Sequence, residues 1–247
     1  MNENSSHIIC FGGEAHESWT DAGLCVSYTN QVPVVAARSG DGSLRALPCP
    51  PAHTGDVKAE YNESAKSREL AEALNQGSVS PLSAAYFRAS SEACESIAAC
   101  GGDLAGLPRF LCRNLQGGPE SIALAETLRQ LLDDAGMEWD DALHLLSRCY
   151  CLKGDACLAV PLAAVEAIQP RCARLIHAVN EKLCGRLWDA FPGDWARIAS
   201  GAVLVDGEVR MARLCAALCG NVVCSKHQRA GELRTLYSLM PGKFEEL

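Results

Sequence analysis

In this chain of 247 residues, the first fifty residues contain short apolar runs of the kind found in β-strands. The later residues show apolar positions at the spacing of α-helices. Within residues 1–50, runs of β-branched and aromatic residues at 7–11, 23–28 and 32–36 are separated by Gly, Asn, Asp and Ser, which favour turns. These runs predict a small β-sheet or meander. Residues 48–60 contain three prolines and a glycine, so we predict an irregular crossing segment there.

Helical spacing begins near residue 64 and continues through the rest of the chain. The patterns at 64–75 and 83–100 predict two helices, which end at Gly77 and at Gly101-Gly102. A short apolar run at 107–112 predicts a buried strand.

A further helix is predicted to begin at Pro119 and to end at Gly136. One face of this helix is apolar and consists of Ile122, Ala125, Leu128, Leu132 and Ala135. The opposite face carries Glu126, Arg129 and Asp133, so we expect a half-buried helix with these charges on its solvent side.

The clearest helical pattern covers residues 171–190 and follows Pro170. Its apolar stripe recurs every fourth residue and consists of Leu175, Val179, Leu183 and Leu187. Asp194 is a candidate N-cap for a short helix that runs through Ile198. Beyond it, we predict a turn at Asp206-Gly207, which precedes an apolar stretch at residues 209–218.

The composition is that of an ordinary globular protein, with 48% hydrophobic and 21% charged residues. A net charge of -8 and a pI near 5.3 oppose binding to phosphate backbones, so nucleic acid is excluded as a partner. The first residues do not show the pattern of a secretory leader, and no apolar run is long enough to span a membrane. We therefore expect a cytoplasmic protein that does not bind membranes, in which most of the 14 cysteines are reduced core residues.

Two groups of cysteine and histidine deserve consideration as metal ligands: His144 with Cys149, Cys151 and Cys157, and Cys215 with Cys219, Cys224 and His227. Neither group contains the C-x-x-C turn that is usual in structural zinc sites. The favoured interpretation is that these cysteines pack in the hydrophobic core. The chain also has no G-x-S-x-G elbow and no phosphate-binding glycine loop. The glycine pairs at 12–13, 101–102 and 117–118 predict tight turns, and the acidic pairs at 140–141 and 245–246 predict solvated charges. The residue pattern thus assigns no catalytic, cofactor-binding or metal-ligating residue.

Five stretches carry a more specific pattern: EWDDA at 138–142, PRCARLIHAVNEK at 170–182, FPGD at 191–194, VRMARLC at 209–215 and YSLMPGKF at 237–244. In this order they resemble motifs from the middle of the α-1,4-glucan (glycogen or starch) phosphorylases. The family motifs are W-D-x-A, the helix L-P-R-H-L-x-I-I-x-x-I-N, the turn F-P-G-D, the strand R-x-N/R-M-A-x-L-C, and F-Y-x-L-x-P-x-K-F. Earlier parts are similar as well: FGGEAH at 11–16, PVV at 33–35, SLRAL at 43–47, and the helix at 61–72, which resembles one ending in R-x-L-A-E-N.

The resemblance implies an α/β fold, namely the helix-rich part of the N-terminal domain of a GT-B type glycosyltransferase, with a small β region at its start. It implies phosphorolysis of α-1,4-glucan to glucose 1-phosphate, with pyridoxal phosphate held as a Schiff base by a lysine. We expect the chain to be an internal, truncated piece of that domain, with a β-rich segment at 1–50 and a mainly helical one at 61–247. α-Glucan is the expected ligand. Because a partial domain exposes apolar surface, a homo-oligomer or a complex with another protein is also expected.

Departures from the family motifs concern the polar positions of the active site. None of the six lysines, Lys58, Lys66, Lys153, Lys182, Lys226 and Lys243, lies in the cofactor motif S-G-T-x-N-M-K, so we expect no covalently bound pyridoxal phosphate. The early cofactor-facing segment G-N-G-G-L-G-R-L is not found in the sequence. N-D-T-H-P corresponds to NLQGGP at 114–119, and the histidine of T-N-H-T falls near KGD at 153–155. G-S-H-x-V-N-G-V corresponds to LCGNVVCSK at 218–226, and the gate loop is reduced to NQG at 75–77. Apolar packing positions are retained while these polar ones are replaced, which predicts a scaffold without the family's catalysis.

Three hypotheses follow from these observations. The chain is a truncated or mis-spliced product of a true α-glucan phosphorylase, which would be inactive alone. Alternatively, it is a non-catalytic descendant that binds glucan or a protein. A third hypothesis, from a different class, is a zinc or redox module built on the additional cysteines.

Overall fold

The N-terminal region is an antiparallel sheet with a projecting hairpin. The computed structural model describes residues 6–21, 23–51 and 55–247, and part of the predicted crossing segment, residues 52–54, lies outside them. The strands are β1 Ser6–Phe11, β2 Glu14–Thr20, β3 Gly23–Thr29, β4 Val32–Arg38 and β5 Leu44–Pro48. Strands β1, β4 and β5 form one sheet in the order β1-β4-β5, and β2 pairs with β3 alone. The predicted small sheet is confirmed, although the pattern missed β2, which has a mainly polar sequence and is largely exposed.

Ten α-helices are present in the described part of the chain. They are α1 Val57–Gln76, α2 Pro81–Ala99, α3 Ile122–Arg129, α4 Trp139–Cys149, α5 Leu162–Ile168, α6 Pro170–Ala190, α7 Trp195–Gly201, α8 Met211–Leu218, α9 Lys226–Ala230 and α10 Arg234–Leu239. The prediction for α2 is confirmed to within two residues.

The start predicted for α1 was wrong, because the helix begins at Val57 rather than at residue 64. The Asp56 side chain accepts hydrogen bonds from the backbone N–H groups of Lys58 and Ala59, and this N-cap lies before the stretch where the apolar spacing becomes visible. The predicted end is confirmed, since Gly77 adopts the left-handed conformation with φ 69°.

The predicted strand at 107–112 was also wrong. A 3₁₀ helix spans Leu104–Arg109, with Asp103 accepting the backbone N–H of Ala105 at 3.2 Å. Leu107 and Leu111 are both fully buried, and the Leu107 carbonyl accepts the N–H groups of Phe110 and Leu111, each at 2.9 Å, which closes a helical turn instead of a strand.

A parallel sheet lies among the helices and confirms the mixed α/β class. Its strands are β6 Arg113–Leu115, β7 Tyr150–Lys153, β11 Asn221–Cys224 and β12 Phe244–Glu246, in the order β12-β11-β7-β6, and all neighbours are parallel. The sequence pattern missed these strands because each has only three or four residues.

A second small sheet contains β8 Ala159–Pro161, β9 Leu204–Val205 and β10 Glu208–Arg210. The predicted turn at Asp206-Gly207 is confirmed, with positive φ angles of 53° and 77° between β9 and β10. The family resemblance implied a strand at 209–215, and this prediction was wrong beyond Arg210, because α8 begins at Met211. Its buried residues Met211, Leu214, Cys215 and Leu218 recur every three or four positions, as in a helix.

Helix α3 departs most from its prediction. It begins after a 3₁₀ turn at Pro119–Ser121 and continues as a π-helical turn over Gln130–Asp134. The face expected in solvent is covered: Glu126 is fully buried, and the side chains of Arg129 and Asp133 are 11% and 8% exposed. Helices α2 and α6 both pack on α3, so the charged face is buried and its charges must find partners within the protein.

Helix α6 agrees with its prediction. The stripe of Leu175, Val179, Leu183 and Leu187 is buried, and Asp194 caps α7 by accepting the backbone N–H of Arg197 at 3.0 Å. The stripe joins one hydrophobic core that extends from the N-terminal sheet to α10. No helix in the described residues is long and apolar enough to cross a membrane.

Candidate functional site

The loops that follow β6, β7 and β11 meet where these parallel strands end. We call them the carboxyl-edge loops and define them as Gln116–Gly118, Gly154–Ala156 and Ser225. In open α/β sheets, ligands bind at this edge, because the loops there present backbone N–H groups and short helices.

The loop after β6 is folded around a carboxylate. Glu120 Oε1 accepts the backbone N–H groups of Gln116 at 2.8 Å and of Gly118 at 3.0 Å. A side chain at Gly117 would place its Cβ 2.6 Å from the carbonyl oxygen of Ala156, and this residue has φ 86°. Glycine is therefore required where the first two loops touch.

The loop after β7 joins the other two loops. Its Ala156 N–H donates to the carbonyl of Gln116 at 3.2 Å, and its Gly154 N–H donates to Val223 in β11 at 3.1 Å. Asp155 Oδ1 accepts the backbone N–H of Ser225 at 2.8 Å.

A buried glutamine joins α9 to the loop after β7. Gln228 of α9 is 3% exposed, and with its amide nitrogen toward the loop it donates to Asp155 Oδ1 at 2.9 Å and to the Gly154 carbonyl at 2.7 Å. Glu120 and Asp155 thus accept backbone N–H groups of the loops after β6 and β11, while the Gly154 and Ala156 N–H groups of the loop after β7 bond to carbonyls. Negative charge at these positions opposes the binding of an anion such as phosphate.

A family model described as carbohydrate phosphorylase matches residues 71–247, which is most of the chain. The chain belongs to the carbohydrate phosphorylase family. It is similar to the glycogen phosphorylase of Bacillus subtilis, with 24% identity over 96% of this chain and 32% of the relative. It is also similar to the muscle forms of glycogen phosphorylase from Ovis aries and Homo sapiens, each with 28% identity over 51% of this chain and 16% of the relative. The chain therefore spans about a third or less of the length of these relatives.

The carboxyl-edge loops contain the positions that correspond to polar motifs of the carbohydrate phosphorylases. NLQGGP at 114–119, KGD at 153–155 and LCGNVVCSK at 218–226 are far apart in sequence, yet the structure brings them together. The gate-loop counterpart at 75–77 lies elsewhere. There, Asn75 holds β5, since its Nδ2 donates to the Ala46 carbonyl at 2.7 Å and its Oδ1 accepts the Ala46 N–H at 2.9 Å.

Sequence reasoning placed Glu120 favourably in the first turn of its helix, but it assigned neither Glu120 nor Gln228 to a site. Both could have been recognised from local signals. Glu120 follows a Gly-Gly-Pro turn at the start of a helix, where a carboxylate is favoured. Gln228 lies three residues after Ser225, which caps α9 by accepting the Gln228 N–H at 3.2 Å.

Carbohydrate phosphorylases use pyridoxal phosphate, and the lysines of this chain do not match the covalent site that this cofactor requires. Lys243 is tied to the end of α8, where its Nζ donates to the carbonyls of Ala217 at 3.1 Å and Cys219 at 2.9 Å. Lys226 pairs with Glu246, and Lys182 lies over the ring of Trp139. Lys58 and Lys153 are exposed. The sixth lysine, Lys66, lines a mainly apolar groove together with Glu69 and Ser83.

Neither cysteine and histidine group forms a metal site, because no three His, Cys, Asp or Glu side chains in the described residues are placed to share an ion. Cys215 instead donates to Ser121 Oγ at 3.2 Å inside the core, and His144 and His227 are exposed. Burial raises the pKa of Cys149 to about 12. A hydrogen bond with Cys215, together with burial, raises the pKa of Cys219 well above its ordinary value. Such thiols are poor metal ligands and poor nucleophiles.

The glycine and acidic pairs have mostly the predicted roles. Gly12, Gly13, Gly101, Gly102 and Gly117 all have positive φ angles, as tight turns require. Asp140 is almost fully exposed, whereas Glu246 is half exposed and pairs with Lys226 and Arg229.

The sequence pattern also did not predict that the charged residues on and after α3 are buried. These residues form two neighbouring groups of ion pairs. Arg129 makes a bidentate contact with Glu126, at 3.0 Å for both nitrogens, and also contacts Asp134. Burial alone would lower the pKa of Arg129, but the ion pairs with Glu126 and Asp134 raise it. Nearby, Arg171 bridges Asp133 of the π-helical turn and Glu17 of the β2-β3 hairpin, at 3.0 and 2.7 Å. These pairs position the hairpin and α3, and the carboxyl-edge loop around Glu120 leads directly into α3.

Proposed function

We propose that this chain is a glucan-binding part of an α-1,4-glucan phosphorylase-like protein, and that by itself it does not catalyse phosphorolysis. It would form part of a GT-B type N-terminal domain, with a β-rich segment at 1–50 and a mainly helical segment at 61–247. We infer in addition a cytoplasmic location, and an oligomer or a complex with another protein.

The proposal rests on the hydrogen bonds that the carboxyl-edge loops make within the chain. The positions that correspond to three family motifs converge there, which supports descent from a ligand-binding site. The backbone N–H groups of Gln116, Gly118 and Ser225 are nevertheless bonded to Glu120 and Asp155, and these carboxylates oppose phosphate at the same place. Because the lysines do not match the covalent cofactor site, we expect this chain to bind no pyridoxal phosphate covalently.

A test combines binding and turnover in one preparation of the purified chain. The protein is incubated with glycogen, inorganic phosphate and added pyridoxal phosphate. Glucose 1-phosphate is then measured in the solution, and the bound protein is measured in the sedimented glycogen. The glycogen phosphorylase of Bacillus subtilis serves as the active reference.

We expect the chain to sediment with glycogen and to form no glucose 1-phosphate above the blank. Product that increases with protein concentration and time would overturn the catalytic part of the proposal. A chain that stays in the supernatant at every glycogen concentration would overturn the glucan-binding part.

A further inference from the structure

Two cysteines stand directly before neighbouring strands at the amino edge of the parallel sheet. Cys112 precedes β6, and Cys149, the last residue of α4, precedes β7. The two strands are parallel, with Arg113 opposite Tyr150. One step back along both strands brings Cys112 opposite Cys149, and neighbouring strands lie about 4.8 Å apart. A disulfide needs Cα atoms about 4.4–6.8 Å apart, so this pair has a suitable spacing.

The same two side chains line one cavity at this edge. Its volume is about 460 Å³, and its wall also contains Cys151 and Arg148. Cys112 is exposed, whereas Cys149 is fully buried. The pKa of Cys149 is raised first by burial, and the nearby thiol of Cys112 adds to this effect. An exposed thiol and a buried thiol are thus close together beside a space that a small molecule can enter.

The surroundings of Cys112 are basic. Arg109 and Arg113 flank it in sequence, and Arg148 lies in the cavity wall. Such a group of cations attracts negatively charged small molecules. Oxidised glutathione is a small disulfide that carries several carboxylates, and a cavity of about 460 Å³ is large enough for one of its halves. The cavity therefore suits an anionic disulfide as the reaction partner of Cys112.

We propose that Cys112 and Cys149 form a reversible disulfide, with oxidised glutathione as the oxidant. The Cys112 thiolate attacks one sulfur of glutathione disulfide, a mixed disulfide forms, and one glutathione thiolate leaves. The Cys149 thiolate then attacks the Cys112 sulfur, which forms the internal disulfide and releases the second glutathione. Two protein thiols are oxidised, one glutathione disulfide is reduced to two thiols, and the protons of the protein thiols pass through solvent to the departing glutathiones.

Cys149 takes part although its own thiol is a poor nucleophile. Next to the mixed disulfide it reacts within one molecule, which raises the effective concentration of the reacting groups. Its step is the slower one, because burial keeps the thiol protonated. Cys151 is the less suitable partner, since it lies opposite Asn114, two residues or about 6.6 Å further along β7.

The disulfide would close a loop of about 40 residues that contains α3, α4 and the carboxyl-edge loop at 116–118. Cross-linking restricts the unfolded chain, so the oxidised protein should be the more stable form. Disulfides that form in reducing compartments are usually transient and sense oxidants. A pair that closes with oxidised glutathione and opens again with a thiol suits that use, and it is independent of the proposed glucan binding.

Peptide mapping after oxidation tests the pair. The purified chain is incubated with oxidised glutathione, its free thiols are blocked with N-ethylmaleimide, and a tryptic digest is analysed by mass spectrometry without reduction. Because arginine or lysine stands at 109, 113, 148 and 153, trypsin releases Cys112 in peptide 110–113 and both Cys149 and Cys151 in peptide 149–153. Fragmentation between Cys149 and Tyr150 shows which of the two cysteines is linked. The variants are Cys112→Ser and Cys149→Ala, with Cys151→Ala as the matched control.

We expect the two peptides to be linked through Cys112 and Cys149 in the parent chain and in Cys151→Ala. The link should be lost in Cys112→Ser and in Cys149→Ala, and dithiothreitol should remove it. Oxidation should raise the Tm of the parent chain by about 5–10 °C and leave the Tm of Cys112→Ser unchanged.

Other pairings would overturn the assignment. A link from Cys112 to Cys151 or to any other cysteine would do so, and so would a chain that carries only glutathione on Cys112 after prolonged oxidation. If Cys149→Ala does not fold, the parent chain and Cys112→Ser still decide, because the linked peptides are identified directly and Cys112 is exposed. The glycogen assay is not affected by either result, so the proposed function stands or falls separately.

Discussion

The buried pair of Glu126 and Arg129 allows the sharpest stability prediction. Glu126 is fully buried and accepts hydrogen bonds from Arg129, from Ser90 Oγ at 2.8 Å and from Gln130 Nε2 at 2.8 Å. In Glu126→Gln the charge is lost and an NH₂ group must face these donors. Arg129 then remains as a buried cation, and among the described residues its remaining ion pair is with Asp134, which is partly exposed.

Breaking a buried ion pair in this way costs about 3–5 kcal/mol. This is a large part of the stability of a typical domain, which is about 5–15 kcal/mol. For a chain of this size, we expect a fall in Tm of about 10 °C. The assay is urea and thermal unfolding, followed by circular dichroism.

Asp134→Asn is the matched control, because Asp134 contacts the same arginine but its side chain is 58% exposed. Its cost should stay below about 1 kcal/mol. The double variant Glu126→Met, Arg129→Met should cost less than the sum of its single changes, since no unpaired charge remains. If Glu126→Gln and Asp134→Asn unfold at the same urea concentration, the proposed role of the pair is refuted.

Other predictions concern the loops, the thiols and one lysine. In urea unfolding, Gly117→Ala should destabilise the chain by about 1–3 kcal/mol more than the control Gly136→Ala. Both glycines have a positive φ, but an added Cβ would meet Ala156 at Gly117 and nothing within 4 Å at Gly136. Equal urea midpoints for the two variants would contradict the importance of this contact. With Ellman's reagent at pH 8, three of the 14 thiols should react quickly, namely the exposed Cys25, Cys112 and Cys157. The half-buried thiols should react more slowly, and the six buried ones only in denaturant. Fast reaction of most thiols would favour the redox hypothesis. Lys243→Met should lower the Tm, because the carbonyls at the end of α8 lose a buried donor, and an unchanged Tm would argue against that role.

Local signals were sufficient for much of the fold. The stripe from Leu175 to Leu187 predicted α6, and Asp194 and Gly77 predicted a helix start and a helix end, because these features depend on residues close in sequence. The polar N-terminal half of α1 and the polar strand β2 have no such apolar period, so they were missed.

Features that depend on distant residues could not be predicted in the same way. The charged face of α3 has the spacing of a solvent-exposed face, and only the packing of α2 and α6 on it makes Glu126 a buried residue. Likewise, the family resemblance pointed to the segments of the carboxyl edge, but not to the bonds of Glu120 and Asp155, which join residues on different strands and helices.

The chain's own carboxylates, Glu120 and Asp155, occupy the backbone N–H groups of Gln116, Gly118 and Ser225 at the carboxyl edge. The most direct measurement is a phosphate titration of the ¹⁵N-labelled chain by NMR, in which the amide signals of Gln116, Gly118 and Ser225 are followed. We predict that these signals do not shift as inorganic phosphate is added, apart from the uniform effect of salt seen with chloride. Saturable shifts confined to these three amides would contradict the account, because they would show that the edge still binds phosphate.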